Sequence, residues 1–156
     1  MRRKDREITD AGRMLEVIGA NDILRIAFDD GDGIYICPVN YGYKAENGAL
    51  SLYFHGAASG RKADALTGAV REVSFEIDGA HRREGGESCD STMYYECVMG
   101  RASCHVVTDQ AEKKEGLDLI MSNVFGRKGP FEYQPAVLER TLLVRLDVTE
   151  WSCKIH

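Results

Sequence analysis

Apolar residues recur along this chain at two different periods, and each change of period marks an element. After Thr9 or Asp10, either able to cap a helix, Met14, Leu15, Val17 and Ile18 share one face as far as Gly19-Ala20-Asn21. Ile23 to Phe28 reads as a strand, and Asp29-Asp30-Gly31-Asp32-Gly33 as the turn that ends it. Ile34 to Tyr43 is a second strand, which Asn47-Gly48 folds back as a hairpin onto a third, Leu50 to His55. A short helix spans Arg61 to Leu66 and stops at Gly68. From Val70 to Asp78, Val73, Phe75 and Ile77 alternate with Ser74 and Glu76, the pattern of a half-buried strand. Gly79 to Ser91 is polar and glycine-rich, which predicts an exposed, mobile loop.

Met93 to Val107 is long enough for a bent strand, with Gly100 as its bulge. Thr108 or Asp109 caps a second long helix whose apolar residues are Leu117, Leu119, Ile120 and Met121, with Lys113 on its exposed face. Phe125 to Pro135 is a loop carrying Arg127, Lys128, Phe131 and Tyr133, and Leu142 to Trp151 is a closing strand. Six strands in hairpin order, with helices only at the start, a middle connection and a late crossover, exclude a doubly wound parallel sheet. The pattern predicts a mainly β fold: an antiparallel six-stranded barrel with flanking helices, in one domain over residues 1–156, residues 1–8 forming a charged arm.

Composition narrows the classes. At 156 residues, 44% hydrophobic and 29% charged, the chain suits one soluble globular domain. A net charge of −5 argues against a nucleic-acid partner, since phosphate-backbone binding needs clustered excess cations. The five cysteines, Cys37, Cys89, Cys97, Cys104 and Cys153, are odd in number and form no CxxC pair, which points to reduced thiols. The chain opens on charged residues, and no apolar run approaches bilayer length, so a cytoplasmic protein with no membrane partner is expected.

Candidate chemistry concentrates in Tyr53-Phe54-His55-Gly56-Ala57-Ala58-Ser59-Gly60-Arg61-Lys62. A buried strand runs into a loop of small residues, whose backbone a ligand can approach closely, and then into two cations at a helix start. Small residues, free N–H groups, a guanidinium and an ammonium together suit a phosphate. Other constellations are weaker. The aspartates of the Asp29–Gly33 turn lack the spacing and terminal glutamate of a calcium loop. Cys97 and Cys104, seven apart on one strand, point to opposite faces, and adding His105, His81 or Cys89 yields no recognised ligand pattern, so no metal is expected. Neither a GxSxG nor a GxGxxG motif occurs.

In order and spacing, the opening Met1-Arg2-Arg3-Lys4-Asp5-Arg6-Glu7-Ile8-Thr9-Asp10, then Ile36 to Tyr43, the His55–Lys62 stretch, Val73 to Asp78 and Tyr94 to Ala102 resemble the Nim-type nitroimidazole-resistance proteins. These belong to the pyridoxamine 5'-phosphate oxidase-like, FMN-binding split-barrel superfamily. The resemblance covers Arg2 to about Val148. It implies FMN as cofactor, with Arg61 and Lys62 on its phosphate, the backbone of Val39 and Asn40 along the flavin ring, and Phe54 and His55 beside the ring and ribityl chain. It also implies a homodimer, with the flavin between subunits. His55 would face the pocket, where an imidazole could donate a proton as substrate accepts electrons. The implied activity is FMN-dependent electron transfer from a soluble reductant, such as NAD(P)H, to a small oxidised organic molecule, a nitro-aromatic if the resemblance reaches the substrate. Non-catalytic FMN binding or flavin sensing is the alternative.

Overall fold

The structure, a computed structural model, describes residues 3–68, 70–86 and 88–156. Six long antiparallel strands carry it: β2 (Ile23–Asp29), β3 (Ile34–Glu46), β4 (Ala49–Ala57), β5 (Glu72–Glu84), β6 (Thr92–Val106) and β7 (Thr141–Ile155), preceded by a two-residue β1 (Glu7–Ile8). Their order is β1-β7-β4-β3-β2-β5-β6, and β6 also pairs with β7, so the six long strands close into a barrel. Closure removes the open edges that a flat sheet would expose. The hairpin at Asn47-Gly48 forms as its sequence demands, with φ of 52° and 80° at the two residues.

Strand alternation fills the inside. Leu24, Ile26 and Phe28 of β2, Leu50, Leu52 and Phe54 of β4, and Val144 and Leu146 of β7 are all buried in one continuous core. One end is plugged by α1 (Ala11–Gly19), which the Asp10 side chain caps by accepting from the Arg13 amide. Val17 and Ile18 of α1 enter the core, and Tyr41 Oη donates to the Ile18 carbonyl at 2.5 Å. α2 (Arg61–Thr67) contributes Ala63 and Leu66 to the same core. α3 (Gln110–Phe125) and α4 (Pro135–Arg140) lie outside, over a second cluster of Tyr53, Val107, Leu117, Ile120, Leu138 and Leu143.

Several sequence expectations need correction. The charged arm is not free: Lys4–Arg6 make a 3-10 turn, and β1 pairs Glu7 and Ile8 with Lys154 and Cys153 of β7. Residues 1 and 2 of that arm lie outside the described residues. Gly79 to Ser91 is not all loop. β5 continues to Glu84 past an irregularity between Gly79 and Arg82, and Arg82, Arg83 and Glu84 pair with Tyr94, Met93 and Thr92. Exposure of most of the outer part of β5 removes the alternation that would have revealed it. Gly100 pairs regularly, and the bulge falls between Arg101 and Ala102 against β7. Glycine is required there for another reason: a Cβ would stand 2.7 Å from the Phe75 ring. α4 was not foreseen, because its six residues bury only Leu138 and so carry no helical period. Lys113 is not exposed but 8% accessible, on the face of α3 that also buries Gly116 and Leu117.

Candidate functional site

The barrel is split where β4 ends. β3 and β4 pair only over Tyr41–Glu46 and Ala49–Phe54, with Tyr41 opposite Phe54. Beyond that pair the strands follow different partners. Residues 34–40 of β3 pair with β2, whereas His55, Gly56 and Ala57 pair with Leu143, Leu142 and Thr141 of β7. Among the described residues no strand fills the gap between, so backbone donors and acceptors on the facing edges remain available to a ligand.

Lys62 closes one side of that gap. A Cβ built on Gly56 would lie 3.1 Å from both Cε and Nζ of Lys62, so the ammonium rests across the glycine. The same Nζ stands 5.6 Å from the centroid of the Phe54 ring. Glycine at 56 is thus a packing requirement for a cation at this position. Neighbouring titratable groups register that cation. Burial pushes the Cys37 thiol up, and Lys62 draws it partly back. Loss of solvation, and then the Lys62 charge, hold His55 below its ordinary pKa of 6.5, although the residue is exposed. His55 is therefore a neutral imidazole at neutral pH.

The structure separates the two cations. Arg61 Nε donates to Asp30 Oδ2 at 2.5 Å, and its guanidinium lies 4.6 Å from the Tyr35 ring centroid, on the β3 side of the split. A cavity of about 600 Å³ beside it is lined by Asp29, Asp30, Asp32 and Asp64, surroundings that disfavour a phosphate. Phe54 and Val39 are core side chains, and the Phe54 ring is the one that Lys62 lies over. Asn40 is exposed, and its Nδ2 donates to the Asp22 carbonyl at 2.9 Å. Of the residues picked from sequence, Lys62, His55 and the backbone of residues 39, 40 and 54 border the split, and Arg61 lies over Tyr35 at the β3 side of it. Gly56 already stood out as one of the small residues of the loop, but the contact between Asp30 and Arg61 could not be read, since no spacing rule joins a turn aspartate to an arginine 31 residues on.

Other constellations stay apart. Cys104 is buried inside the barrel, and Cys97 lies on the outer face with Sγ 3.7 Å from Glu76 Oε1. Among the described residues no group of three or more His, Cys, Asp and Glu side chains is placed to hold a metal ion. Among them, too, no helix is long and apolar enough to cross a membrane.

The architecture is thus a closed antiparallel barrel, split beside a small-residue loop and a cation. The profile of the family described as pyridoxamine 5'-phosphate oxidase matches residues 10–155, and the chain belongs to that family. The fold is similar to that of a candidate 5-nitroimidazole antibiotic resistance protein from Bacteroides thetaiotaomicron, with a TM-score of 0.80 and 25% identity over 96% of this chain and 86% of that one. It is also similar to the flavocytochrome Anf3 from Azotobacter vinelandii, with a TM-score of 0.78 and 17% identity over 100% and 72% of the two chains. For an FAD and heme binding protein from Mycobacterium smegmatis the TM-score is 0.79 and the identity 19%, over 96% and 73%. No match was found among curated proteins.

Proposed function

We propose that the chain is an FMN-dependent oxidoreductase that passes electrons from a soluble reductant, such as NAD(P)H, to a small oxidised organic molecule of the nitro-aromatic class. The observation that carries this reading is the split itself: an unpaired strand edge with an ammonium laid across Gly56 at its rim. Family membership and the flavin proteins among similar structures support the cofactor, and the likeness to the Bacteroides protein supports the acceptor class. FMN, when bound, supplies two-electron redox chemistry between donor and acceptor.

The chain's own residues have separate tasks. Lys62 neutralises a phosphate monoester, and the backbone of Val39, Asn40 and Gly56 borders the flat ring system. Partial desolvation, and then the Lys62 charge, hold His55 below its ordinary pKa of 6.5. An anion against Lys62 cancels that charge, so His55 takes up a proton more readily and can pass it to a substrate oxygen. The assembly we propose is a homodimer. The β2–β3 hairpin exposes Ile34 (71%) and Ile36 (62%), and Ile36 lines a groove of about 470 Å³ with Met99 and Trp151, apolar surface that suits a second copy of this chain.

The test is the absorbance of the purified protein, followed by fluorescence titration with FMN, riboflavin and FAD, and molar mass by light scattering. FMN should bind more tightly than riboflavin or FAD. Lys62→Gln should weaken FMN binding by about 1.5–3 kcal/mol, the range for hydrogen bonds to charged groups. His55→Gln should keep the flavin yet slow acceptor reduction by roughly 10²–10⁴-fold. Equal affinity for riboflavin and FMN removes the phosphate site and the reading with it.

A further inference from the structure

We propose that Arg6, Lys154 and the Tyr95 hydroxyl form a second anion site, which takes a phosphate group at the end of β7 remote from the split. The flavin reading of the split plays no part in it. At one end β7 meets β4, where Leu142 and Leu143 pair with Gly56 and His55. At the other it meets β1, where Lys154 and Cys153 pair with Glu7 and Ile8. That second end also brings in β6, because the His156 amide donates to the Tyr95 carbonyl at 2.9 Å. Segments far apart in sequence thus set Arg6, Thr92, Tyr95, Lys154 and His156 side by side.

The cations gathered there are short of carboxylates. Asp5 gives both oxygens to Arg3, accepting from Nε at 2.9 Å and from Nη2 at 2.7 Å, and lies 4.0 Å from Arg6 Nε. Glu84, on the neighbouring β5–β6 ribbon, accepts from Arg82 Nη1 at 2.7 Å. Among the described residues no carboxylate forms an ion pair with Lys154, whose ammonium lies 5.3 Å from the Tyr95 ring centroid. Arg6, with a side chain 23% accessible, turns Nη2 to the ring of His156 instead, 3.0 Å from Nε2. A guanidinium can only donate, so Nε2 carries no proton, and the Thr92 hydroxyl at 2.7 Å donates to it as well. A single lone pair therefore serves a cation and a hydroxyl. The Tyr95 phenol is used in the same way. The Lys154 ammonium, and then the Arg6 guanidinium, hold it below its ordinary pKa against a loss of solvation that raises it.

Neutral acceptors are weak partners for two cations, and an oxyanion is a stronger one. A phosphate offers several charged oxygens at once, so the guanidinium, the ammonium and the hydroxyls each gain a charge-assisted hydrogen bond. The whole chain has a net charge of −5, so this excess of cations is local and not a general property of its surface. Arg82 and His156 already lie against the Tyr94 ring, and Lys154 against that of Tyr95, so what the site reads is charge. The phosphate is either free in solution or the monoester group of a larger molecule such as NADPH. In either case it ties β1, two residues long and preceded by a turn that buries nothing, to β6 and β7.

The experiment follows the imidazole proton resonances of the full chain by NMR as inorganic phosphate replaces chloride at constant ionic strength, with and without excess FMN. Loss of one signal in His156→Gln identifies His156. That resonance should shift saturably with phosphate. Arg6→Gln and Lys154→Gln should each weaken the binding about tenfold, the lower end for hydrogen bonds to charged groups because both side chains are partly exposed. Arg6→Lys keeps the charge and should retain most of the affinity, which separates recognition from a fault in folding. Lys62→Gln and excess FMN should leave the His156 response unchanged whether or not the split binds flavin. NADPH and NADH distinguish the sources. A His156 shift at lower concentration with NADPH than with phosphate, and none with NADH, assigns the site to a monoester; tighter binding of inorganic phosphate assigns it to the free anion. A His156 signal that does not saturate with phosphate overturns the proposal. So does an undiminished response in both glutamine variants, or a response abolished by Lys62→Gln or by FMN, which would place the phosphate at the split.

Discussion

Replacing Gly42 by alanine should lift the long helix off the barrel. β3 passes beneath α3 at this residue, where an added Cβ would stand 2.6 Å from the Leu119 carbonyl oxygen, and closer still to the Leu119 carbonyl carbon and the Ile120 nitrogen. These are backbone atoms in the middle of a helix, so no rotamer change relieves the clash. With ordinary carbon contacts near 3.5–4.0 Å, the helix must retreat by roughly an ångström. Retreat draws Leu117 and Ile120 away from Tyr53 and Leu143. It also stretches the two hydrogen bonds that Asn123 Nδ2 donates, to the Asn21 carbonyl at 3.0 Å and the Tyr41 carbonyl at 3.1 Å. Overpacking costs about 1–3 kcal/mol, the rigid obstacle here sets the upper end, and the weakened hydrogen bonds add about 1. A loss near 4 kcal/mol corresponds to a fall of roughly 8–16 °C in melting temperature for a chain of this size. Thermal unfolding by circular dichroism measures it, with Gly116→Ala as the scale. There the added Cβ meets side chains, Leu143 Cδ2 at 2.6 Å and Tyr53 Cδ1 at 2.8 Å, which can rotate aside. Alanine's better helix propensity returns about 1 kcal/mol, so Gly116→Ala should change little. If Gly42→Ala melts within about 2 °C of wild type, α3 does not rest on the β3 backbone and this account of the packing fails.

The remaining predictions concern protons. Because the folded-state pKa of His55 lies below the ordinary 6.5, the unfolded chain binds more protons between the two values. The His55 contribution to stability is thus intact above pH 6.5 and is lost as pH falls through the folded value. Melting curves of wild type and His55→Gln should run parallel above about pH 7 and diverge toward pH 5, with wild type losing more; parallel curves throughout would mean a fully solvated ring. The thiols should differ in the same physical terms. Desolvation, followed by the Glu76 charge, pushes Cys97 up to about 12, and desolvation pushes Cys104 up to about 11, so neither should alkylate in the native protein at pH 8 while exposed Cys89 does. Prompt labelling of Cys104 would show that the barrel interior is open to reagent.

Most of the fold was legible because burial and period agree in it. Val73, Phe75 and Ile77 alternate with Ser74 and Glu76 because one face of β5 is core and the other is not. Asp10 and Asp109 announce their helices because each carboxylate accepts a backbone N–H from the first turn, at 2.8 Å in both cases. Legibility ends where burial ends. The outer half of β5, from Gly79 to Glu84, is held by backbone pairing to β6 with exposed side chains on most of it, and backbone pairing leaves no hydrophobic pattern. Lys113 shows the reverse failure. Charge suggested solvent, yet helical spacing sets it one turn from Leu117, on the face that packs against the barrel.

The site divides along the same line. Its local part could be read from the chain: a strand, a run of small residues and two cations are contiguous, and contiguity is what sequence preserves. What the cations do is decided by residues far away in sequence. Gly56 sets where Lys62 lies because a side chain there would displace it, and Asp30, from a different hairpin, decides where Arg61 points. The aspartate-rich turn that reads as mere hairpin chemistry is therefore part of the site's electrostatics. Its carboxylates give the two cations of the basic pair different partners, Asp30 for Arg61 and the Phe54 ring for Lys62. The consequence is chemical as well as geometric: loss of solvation, and then the ammonium beside it, hold His55 below its ordinary pKa of 6.5.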